Sequence, residues 1–223
     1  MRVKKKIVAV IPLRGGSTSI PLKNIRAIAG KPLCYWVIEA AKKSGCFDEI
    51  WVSTDHRKIK GIALSYGVKV VDRPAKYASN TATEGAMLNH FASRVDFDIL
   101  ADIHATSPLT TAEDIKKALK MFKRGGYDSM LTGVRWKGFL WDDNFKPVNY
   151  NPKRRPRRQD MKGWLKENGA FYITTRDTLA RHNDMLGSRI GIYEMDEEDM
   201  IELDEPLDWQ IVETLLRKRL KKK

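Results

Sequence analysis

Apolar and polar positions along this chain alternate between two periods, and the alternation itself predicts the architecture. An uninterrupted β-branched run from Ile7 to Leu13 reads as a strand covered on both faces, because no polar position breaks it. LCYWVIEAAKKSG (33 to 45) then shows helical spacing and ends on Gly45, a residue suited to a helix C-terminus. The same two signals recur. EIWVSTD (49 to 55) is a strand, His56 to Tyr66 a helix closed by Gly67, VKVVD (68 to 72) a strand, and Thr83 to Arg94 a helix. DILADIHATSP (98 to 108) predicts a strand running into a polar loop, followed by a helix over Ala112 to Arg124 and a strand at DSMLTGV (128 to 134). AFYITT (170 to 175), a short helix near 176 to 182, RIGIYEM (189 to 195) and a helix from Pro206 to Lys222 complete the series. Strands alternating with helices predict an α/β fold, a doubly wound and mostly parallel sheet, whose ligands sit at the carboxyl ends of the strands.

Two stretches depart from the rhythm. Residues 135 to 165, rich in Trp, Pro, Arg and Asn, exceed an ordinary connection and predict an inserted lid, substrate loop or dimerisation arm. Asn168 and Gly169 in WLKENGAFYI predict a tight turn where the chain re-enters the sheet. With 223 residues, a single domain over 1–223 carrying this insertion is the simplest division.

Composition narrows the classes. The 42% hydrophobic and 31% charged content is that of a soluble globular chain, and no apolar run approaches the ~20 residues that span a bilayer. MRVKKKIVAVIPLRGG superficially imitates a signal peptide, but Arg14 and a glycine turn stand where a small-residue cleavage site belongs. The two cysteines, Cys34 and Cys46, show no metal-binding spacing and fit a reducing cytoplasm. The net charge of +13 raises the possibility of nucleic-acid binding. Yet three segments, Arg2 to Lys6, Lys153 to Arg158 and Arg217 to Lys223, hold 15 of the 41 basic residues. Without them the body carries 26 basic and 28 acidic residues, so the charge marks two ends and one loop, which weighs against a nucleic-acid-binding face. PKRRPRRQD, at 152 to 160, reads alternatively as a nuclear import signal or as an anion-binding loop.

The candidate chemistry gathers at the predicted strand ends. Arg14, Gly15 and Gly16 follow the first strand and Lys23 with Asn24 precedes the next helix, a turn able to offer N–H donors and cations to polyphosphate. It is neither GxxxxGK[ST] nor GxGxxG. Ser53, Thr54 and Asp55 follow the second strand, Arg73 the third, and His104, Thr106 and Ser107 the fourth. Asp55 and Thr106 serve equally well as helix caps, and Arg73 as a solvated loop charge. In IELDEPLDWQIVE (201 to 213), Glu202 and Asp204 project to one side of an extended segment, where two hard carboxylates suit Mg²⁺ beside phosphate oxygens. Asp204 or Glu205 equally suits the N-terminus of the helix opened by Pro206.

Taken in order, RGGSTSIPLKNI, WVSTDH, HATSPL, NPKRRPRRQD, ENGAFYI and LDEPLDW resemble the acylneuraminate cytidylyltransferases, over about residues 7 to 216, and the RPRRQD block is similar to the animal-type branch. The resemblance implies a Rossmann-like nucleotidyltransferase, a homodimer or dimer of dimers. It implies Mg²⁺-dependent transfer of CMP from CTP to the anomeric hydroxyl of an acidic keto sugar, N-acylneuraminate or a related nonulosonic acid. Arg14, Lys23 and Asp204 would be catalytic, and Arg14, Gly15, Gly16, Ser17, Lys23, Asn24, Arg73 and Thr83 would bind nucleotide. His104, Thr106, Ser107, Arg155, Arg158, Gln159 and Asn168 would bind the sugar, and Glu202 with Asp204 the metal. Four positions depart from the family pattern: Thr18 and Ser19 replace the lysine and glycine of GGSKG, His104 replaces glutamine, and Glu202 replaces aspartate. A 3-deoxy-octulosonate cytidylyltransferase is the nearer alternative, a non-catalytic nucleic-acid-binding protein the distant one. The expected compartment is cytoplasmic, or nuclear if Lys153 to Arg158 serves as an import signal.

Overall fold

The computed structural model describes residues 4–17 and 19–221, so Thr18 lies outside the described residues. The first strand, β1 (Ile7–Pro12), is buried along its length and paired in parallel on both edges, to β4 (Glu49–Thr54) and β6 (Ile99–Ile103). Its alternate residues serve different cores, as strand geometry requires. Ile7, Ala9 and Ile11 join the larger core with helices α1 (Leu33–Ser44), α4 (Ala112–Gly125) and α6 (Pro206–Lys221). Val8 and Val10 join the smaller core with Met87, Leu88 and Phe91 of α3 (Glu84–Ala92) and Leu179 of α5 (Arg176–His182). Helices thus cover both faces, which is why the strands read as apolar runs.

The seven-stranded sheet has the order β5-β4-β1-β6-β8-β7-β9, with β5 at Lys69–Asp72, β7 at Ser129–Trp136, β8 at Trp164–Thr175 and β9 at Ile190–Met195. Only β8 runs antiparallel to its neighbours, inserted between β6 and β7. A two-stranded ribbon, β2 (Ala27–Ile28) and β3 (Lys31–Pro32), precedes α1, and α2 (Arg57–Ser65) connects β4 to β5. Gly45 at φ 61° ends α1 and Gly126 at φ 66° ends α4, the left-handed conformation that glycine adopts without strain.

Two sequence expectations are corrected. The irregular stretch is shorter than 135 to 165, because β7 extends to Trp136 and β8 begins at Trp164. Asn168 and Gly169 form no turn. They lie in a bulge inside β8, where Leu131 pairs with Tyr172 but Gly133 pairs with Glu167, and Gly169 adopts φ 58°. A bulge uses the same residue types as a turn but keeps the chain within the sheet, so local composition does not distinguish them.

The intervening residues 137–163 form an arm held by its own aromatic contacts. Phe139 and Tyr150 have ring centroids 4.4 Å apart, and the Arg155 guanidinium lies 4.1 Å over Phe139. Leu140, Trp141, Phe145 and Val148 are left exposed.

Packing of α1 against the sheet gives a direct test. Cys34 is fully enclosed and burial pushes its thiol up to about 12, whereas Cys46 is half-buried. Thiolate is the reactive form, so a thiol reagent at neutral pH should label Cys46 and spare Cys34 until the chain is denatured. Two thiols reacting equally fast in the native protein would contradict this packing.

Candidate active site

The carboxyl ends of β1, β4, β5 and β6 open onto one cleft of about 330 Å³, lined by Arg14, Ser17, Ser19, Lys23, Asn24, Arg73, Glu84, His104, Thr106 and Asp204 among others. A second recess of about 290 Å³ continues from it past Arg14, Arg73, Asn80, Thr83 and Glu84. Sequence position after a strand is what brings these residues together, as expected for a doubly wound sheet.

The loop after β1 is held from three sides. Asp55 Oδ1 accepts a hydrogen bond from the Gly15 backbone N–H at 2.8 Å, and His56 lies against Gly15 so closely that a Cβ there would meet the ring Cδ2 at 2.7 Å. Asn24, almost fully buried, donates through Nδ2 to the Arg14 carbonyl at 2.9 Å, and Arg14 donates through its guanidinium to Asn80 Oδ1 at 2.7 Å. The cap of α2 is therefore His56, whose Nδ1 accepts from Lys58 N–H, and not Asp55, which ties the loop instead. Gly16 is exposed at the loop's tip, beside Ser17. Leu22, in the left-handed region at φ 49°, turns the chain into the 3-10 segment Lys23–Ile25.

Lys23 donates through Nζ to Asp204 Oδ1 and to the Leu203 carbonyl, both at 2.9 Å. This bridge joins the first loop to the last, 181 residues apart in sequence. Among the described residues the Asp204 carboxylate accepts from Lys23 and from no backbone N–H of α6, so it does not act as the helix cap, while Asp208 Oδ2 accepts from the backbone N–H groups of Asp204 (3.1 Å) and Glu205 (2.7 Å) at the start of α6. Asp204 is left to face the cleft. Ser19 Oγ lies 3.3 Å from Glu205 Oε1, a further tie between the same two segments.

Arg73 is buried, not solvated. Its Nε and a terminal nitrogen donate to Ser53 Oγ (3.1 Å) and the Ser53 carbonyl (2.7 Å), fixing the guanidinium beneath the cleft. Burial lowers its pKa from the ordinary arginine value, with the charges of Glu84 and Asp102 opposing. Thr83 caps α3, accepting from Ala86 N–H at 3.2 Å, and its place in the second recess leaves the hydroxyl on the border of the site. Thr106 lines the cleft and accepts at its backbone carbonyl from Leu203 N–H at 2.8 Å, whereas Ser107 is buried behind it.

His104 stands at the centre of a polar cluster that sequence spacing did not reveal. Its Nε2 lies 3.3 Å from Asp102 Oδ2 and 3.9 Å from Glu84 Oε1. Burial works against its charge, but Asp102 and then Glu84 outweigh it and hold the imidazole up at about 9. Burial and the charge of Asp102 push the Glu84 carboxyl well above the usual carboxylate range. Asp102 was hidden within an apolar strand and Glu84 at a helix start. The available signal was a single carboxylate inside ILADI, since an aspartate is rarely buried without a partner.

Glu202 reaches toward β8, where a Cβ on Gly169 would collide with its Oε1; the bulge makes the space its carboxylate fills. Burial, then Asp204, raises its pKa, while His104 and Lys166 lower it. Other expected sugar contacts lie elsewhere in the chain. Asn168 is buried and donates to the Asp199 carbonyl at 2.8 Å, bracing the segment before Glu202. Arg158 and Gln159 line a separate opening of about 750 Å³ between the arm and the ends of β7 and β9, and Arg155 stays on Phe139.

Comparison with known proteins places this geometry. The model of the cytidylyltransferase family matches residues 8–218. The chain is 37% identical to N-acylneuraminate cytidylyltransferase A of Danio rerio over 220 residues, covering 95% of this chain and 51% of that protein. It is 39% identical to N-acylneuraminate cytidylyltransferase of Oncorhynchus mykiss, covering 94% of this chain and 50% of that protein. The chain thus spans about half the length of these curated relatives. Post-translational flagellin modification protein B of Campylobacter coli is 31% identical, with 96% of each chain covered. In fold it is similar to a CMP:2-keto-3-deoxy-manno-octonic acid synthetase solved with CTP, at TM-score 0.75 and 20% identity, covering 96% of this chain and 99% of that one.

The Gly169 bulge predicts a separable effect. Gly169→Ala should cost about 1–2 kcal/mol of stability for the left-handed backbone, and should lower turnover far beyond that loss by displacing Glu202. Denaturant unfolding and steady-state rates at saturating substrate check it. Full turnover in a folded variant would dissociate Glu202 from the site.

Proposed function

This chain belongs to the cytidylyltransferase family, and we propose that it transfers CMP from CTP to the anomeric hydroxyl of N-acylneuraminate or a related nonulosonic acid, releasing pyrophosphate. The observation that carries this reading is the Lys23–Asp204 bridge, which sets a cation and a metal-type carboxylate side by side in the strand-end cleft, in company with Arg14 and Ser17. The names of the two fish relatives support the sugar class. Basic residues of the last helix support it indirectly. Among the described residues Arg217 pairs with Glu213, and Lys218 and Arg219 with Glu198, so part of this basic helix is neutralised by ion pairs.

Nucleotidyl transfer asks chiefly for alignment and charge neutralisation, with no covalent step on the protein. Arg14 and Lys23 would receive the triphosphate, with Gly15, Gly16 and Ser17 close enough for backbone approach. Asn24 acts by fixing the Arg14 carbonyl, and so the course of the loop. Arg73, locked on Ser53, supplies fixed positive charge beneath the cleft and needs no rearrangement when phosphate enters. Thr106 and His104, which line the same cleft, would face the sugar acid.

Glu202 and Asp204 fit the Mg²⁺ that the family implies. Both offer hard oxygens, and Asp204 has a salt-bridged Oδ1 and is otherwise open, with its side chain 58% exposed. Bound there, the ion would neutralise phosphate charge and favour the sugar alkoxide. Lys23, already on Asp204, keeps that carboxylate turned toward the phosphate path.

The exposed arm residues Leu140, Trp141, Phe145 and Val148, with Trp164 at its base, support a homodimer in which the arm meets a second copy. Arg155, Arg158 and Gln159 would then act on the acidic sugar from the partner's side of the site. Among the described residues no helix is long and apolar enough to cross a membrane. A cytoplasmic or nuclear site of action accords with the chemistry of the substrates.

Pyrophosphate release from CTP and Mg²⁺, assayed across N-acylneuraminate, deaminated, legionaminic-type and pseudaminic-type acids and 3-deoxy-octulosonate, is expected with at least one nonulosonic acid. Release with 3-deoxy-octulosonate alone would move the assignment to that sugar, and silence with all would overturn the enzyme. Lys23→Ala should raise the apparent KM for CTP about 10-fold or more, the worth of one hydrogen bond to a charged group. Asp204→Asn should lower kcat about 100-fold with the fold unchanged by circular dichroism. A wild-type KM in the first variant or a wild-type kcat in the second would remove that residue from the machinery.

A further inference from the structure

Asp102 is the fourth of the five residues of β6, and it is 1% exposed. Its Oδ1 has no hydrogen-bond partner, and its Oδ2 lies 3.3 Å from His104 Nε2, two positions further along and on the same side of the chain. Glu84, first residue of α3, brings Oε1 to 3.9 Å from the same nitrogen, and this oxygen is also buried without a hydrogen-bond partner. One donor atom from each of the three residues lies within 4.8 Å of the others. Asp102 Oδ1 and Glu84 Oε1 are thus buried carboxylate oxygens with no donor group of the protein against them, an arrangement that is costly unless a proton held by Glu84 or a bound cation compensates it. Arg73 spends two of its donors on Ser53 and makes no hydrogen bond to either carboxylate among the described residues.

A divalent cation resolves this arrangement. Bonds of about 2.0–2.2 Å to nitrogen and oxygen set neighbouring ligands about 3–3.6 Å apart. The Asp102–His104 separation already falls in that range, the Glu84–His104 contact needs a closure of a few tenths of an ångström, and the Glu84–Asp102 pair, within 4.8 Å, is brought closer by a turn of the Glu84 side chain.

We propose that Glu84, Asp102 and His104 form a divalent-cation site on the wall of the cleft. An imidazole with two carboxylates suits Mn²⁺ or Zn²⁺ better than Mg²⁺, which seldom takes nitrogen ligands. Glu84 and His104 also line the cleft, so the remaining coordination positions open toward the space shared with Arg14 and Lys23. Three protein ligands with open positions is the form of a site that takes oxygen ligands from a substrate. The site does not draw on Asp204, which lines the cleft from the segment before α6, or on Glu202, whose carboxylate lies against Gly169 of β8, and it does not depend on which sugar is used.

The test uses the full chain, stripped of metal by chelation and free of nucleotide and sugar. Mn²⁺ binding is followed by the loss of the free-ion electron paramagnetic resonance signal, and Co²⁺ binding by its visible absorption. Wild-type protein should bind Mn²⁺ before any CTP is added. Asp102→Asn and His104→Gln should each weaken that binding at least ~10-fold, with the Co²⁺ spectrum changed, while Asp204→Asn retains it. Circular dichroism establishes that each variant is folded; if Asp102→Asn is not, His104→Gln carries the test alone. Absence of nucleotide-free binding would overturn the proposal, as would binding untouched by both variants or loss in Asp204→Asn as well. Because no turnover is read, failure here leaves the CMP-transfer reading standing, and failure of that reading leaves this one to its own outcome.

Discussion

Strand β1 has no free side. It is hydrogen-bonded on both edges to β4 and β6, and alternate residues enter two different cores, so its carboxyl end has a single direction of exit. The loop that leaves it is accordingly anchored to neighbouring strand ends. Gly15 is held by Asp55 after β4, and Arg14 by Asn24 and Asn80. A site assembled on loops gains its rigidity from the scaffold beneath them, and here that scaffold is buried on both faces.

The antiparallel strand β8 adds what a purely parallel sheet lacks. Inserted between β6 and β7, it lays a bulge beside the end of β6, where His104 N–H donates to the Ala170 carbonyl at 3.0 Å. The bulge has two consequences. Gly169 leaves room for the Glu202 carboxylate, and Asn168 turns inward to hold the Asp199 carbonyl, steadying the segment that carries Glu202 and Asp204. Residues that looked like one tight turn therefore place two acidic groups. The Lys23–Asp204 bridge then closes the ring between the first loop and the last.

Charge in this site is concentrated where solvent is scarce. Arg73, Asp102, Glu84 and His104 share one neighbourhood, in which burial and the charge of Asp102 raise the Glu84 carboxyl and Asp102 with Glu84 hold the His104 imidazole up. Low local polarity strengthens these interactions and penalises any unpaired member. A cleft of this kind discriminates by charge arrangement more than by shape, which suits a polyphosphate and an acidic sugar.

Alternating apolar runs and helical stripes, read from the sequence alone, determined the α/β class, the strand-end location of Arg14, Lys23, Asn24, Arg73, His104 and Thr106, and the existence of an inserted arm, because strands buried on both faces leave short unbroken apolar runs that alternate with amphipathic helices. Ordered motifs determined the family. Tertiary structure decided the rest, for one reason: a side chain's role depends on what the remainder of the chain brings against it. Asp55 ties a loop and does not cap, Asp204 meets Lys23 because Asp208 serves the helix start, and Arg73 is buried because Ser53 receives it. Asp102 and Glu84, 18 residues apart and unremarkable in their own elements, become one cluster with His104 only when α3 lies across the end of β6.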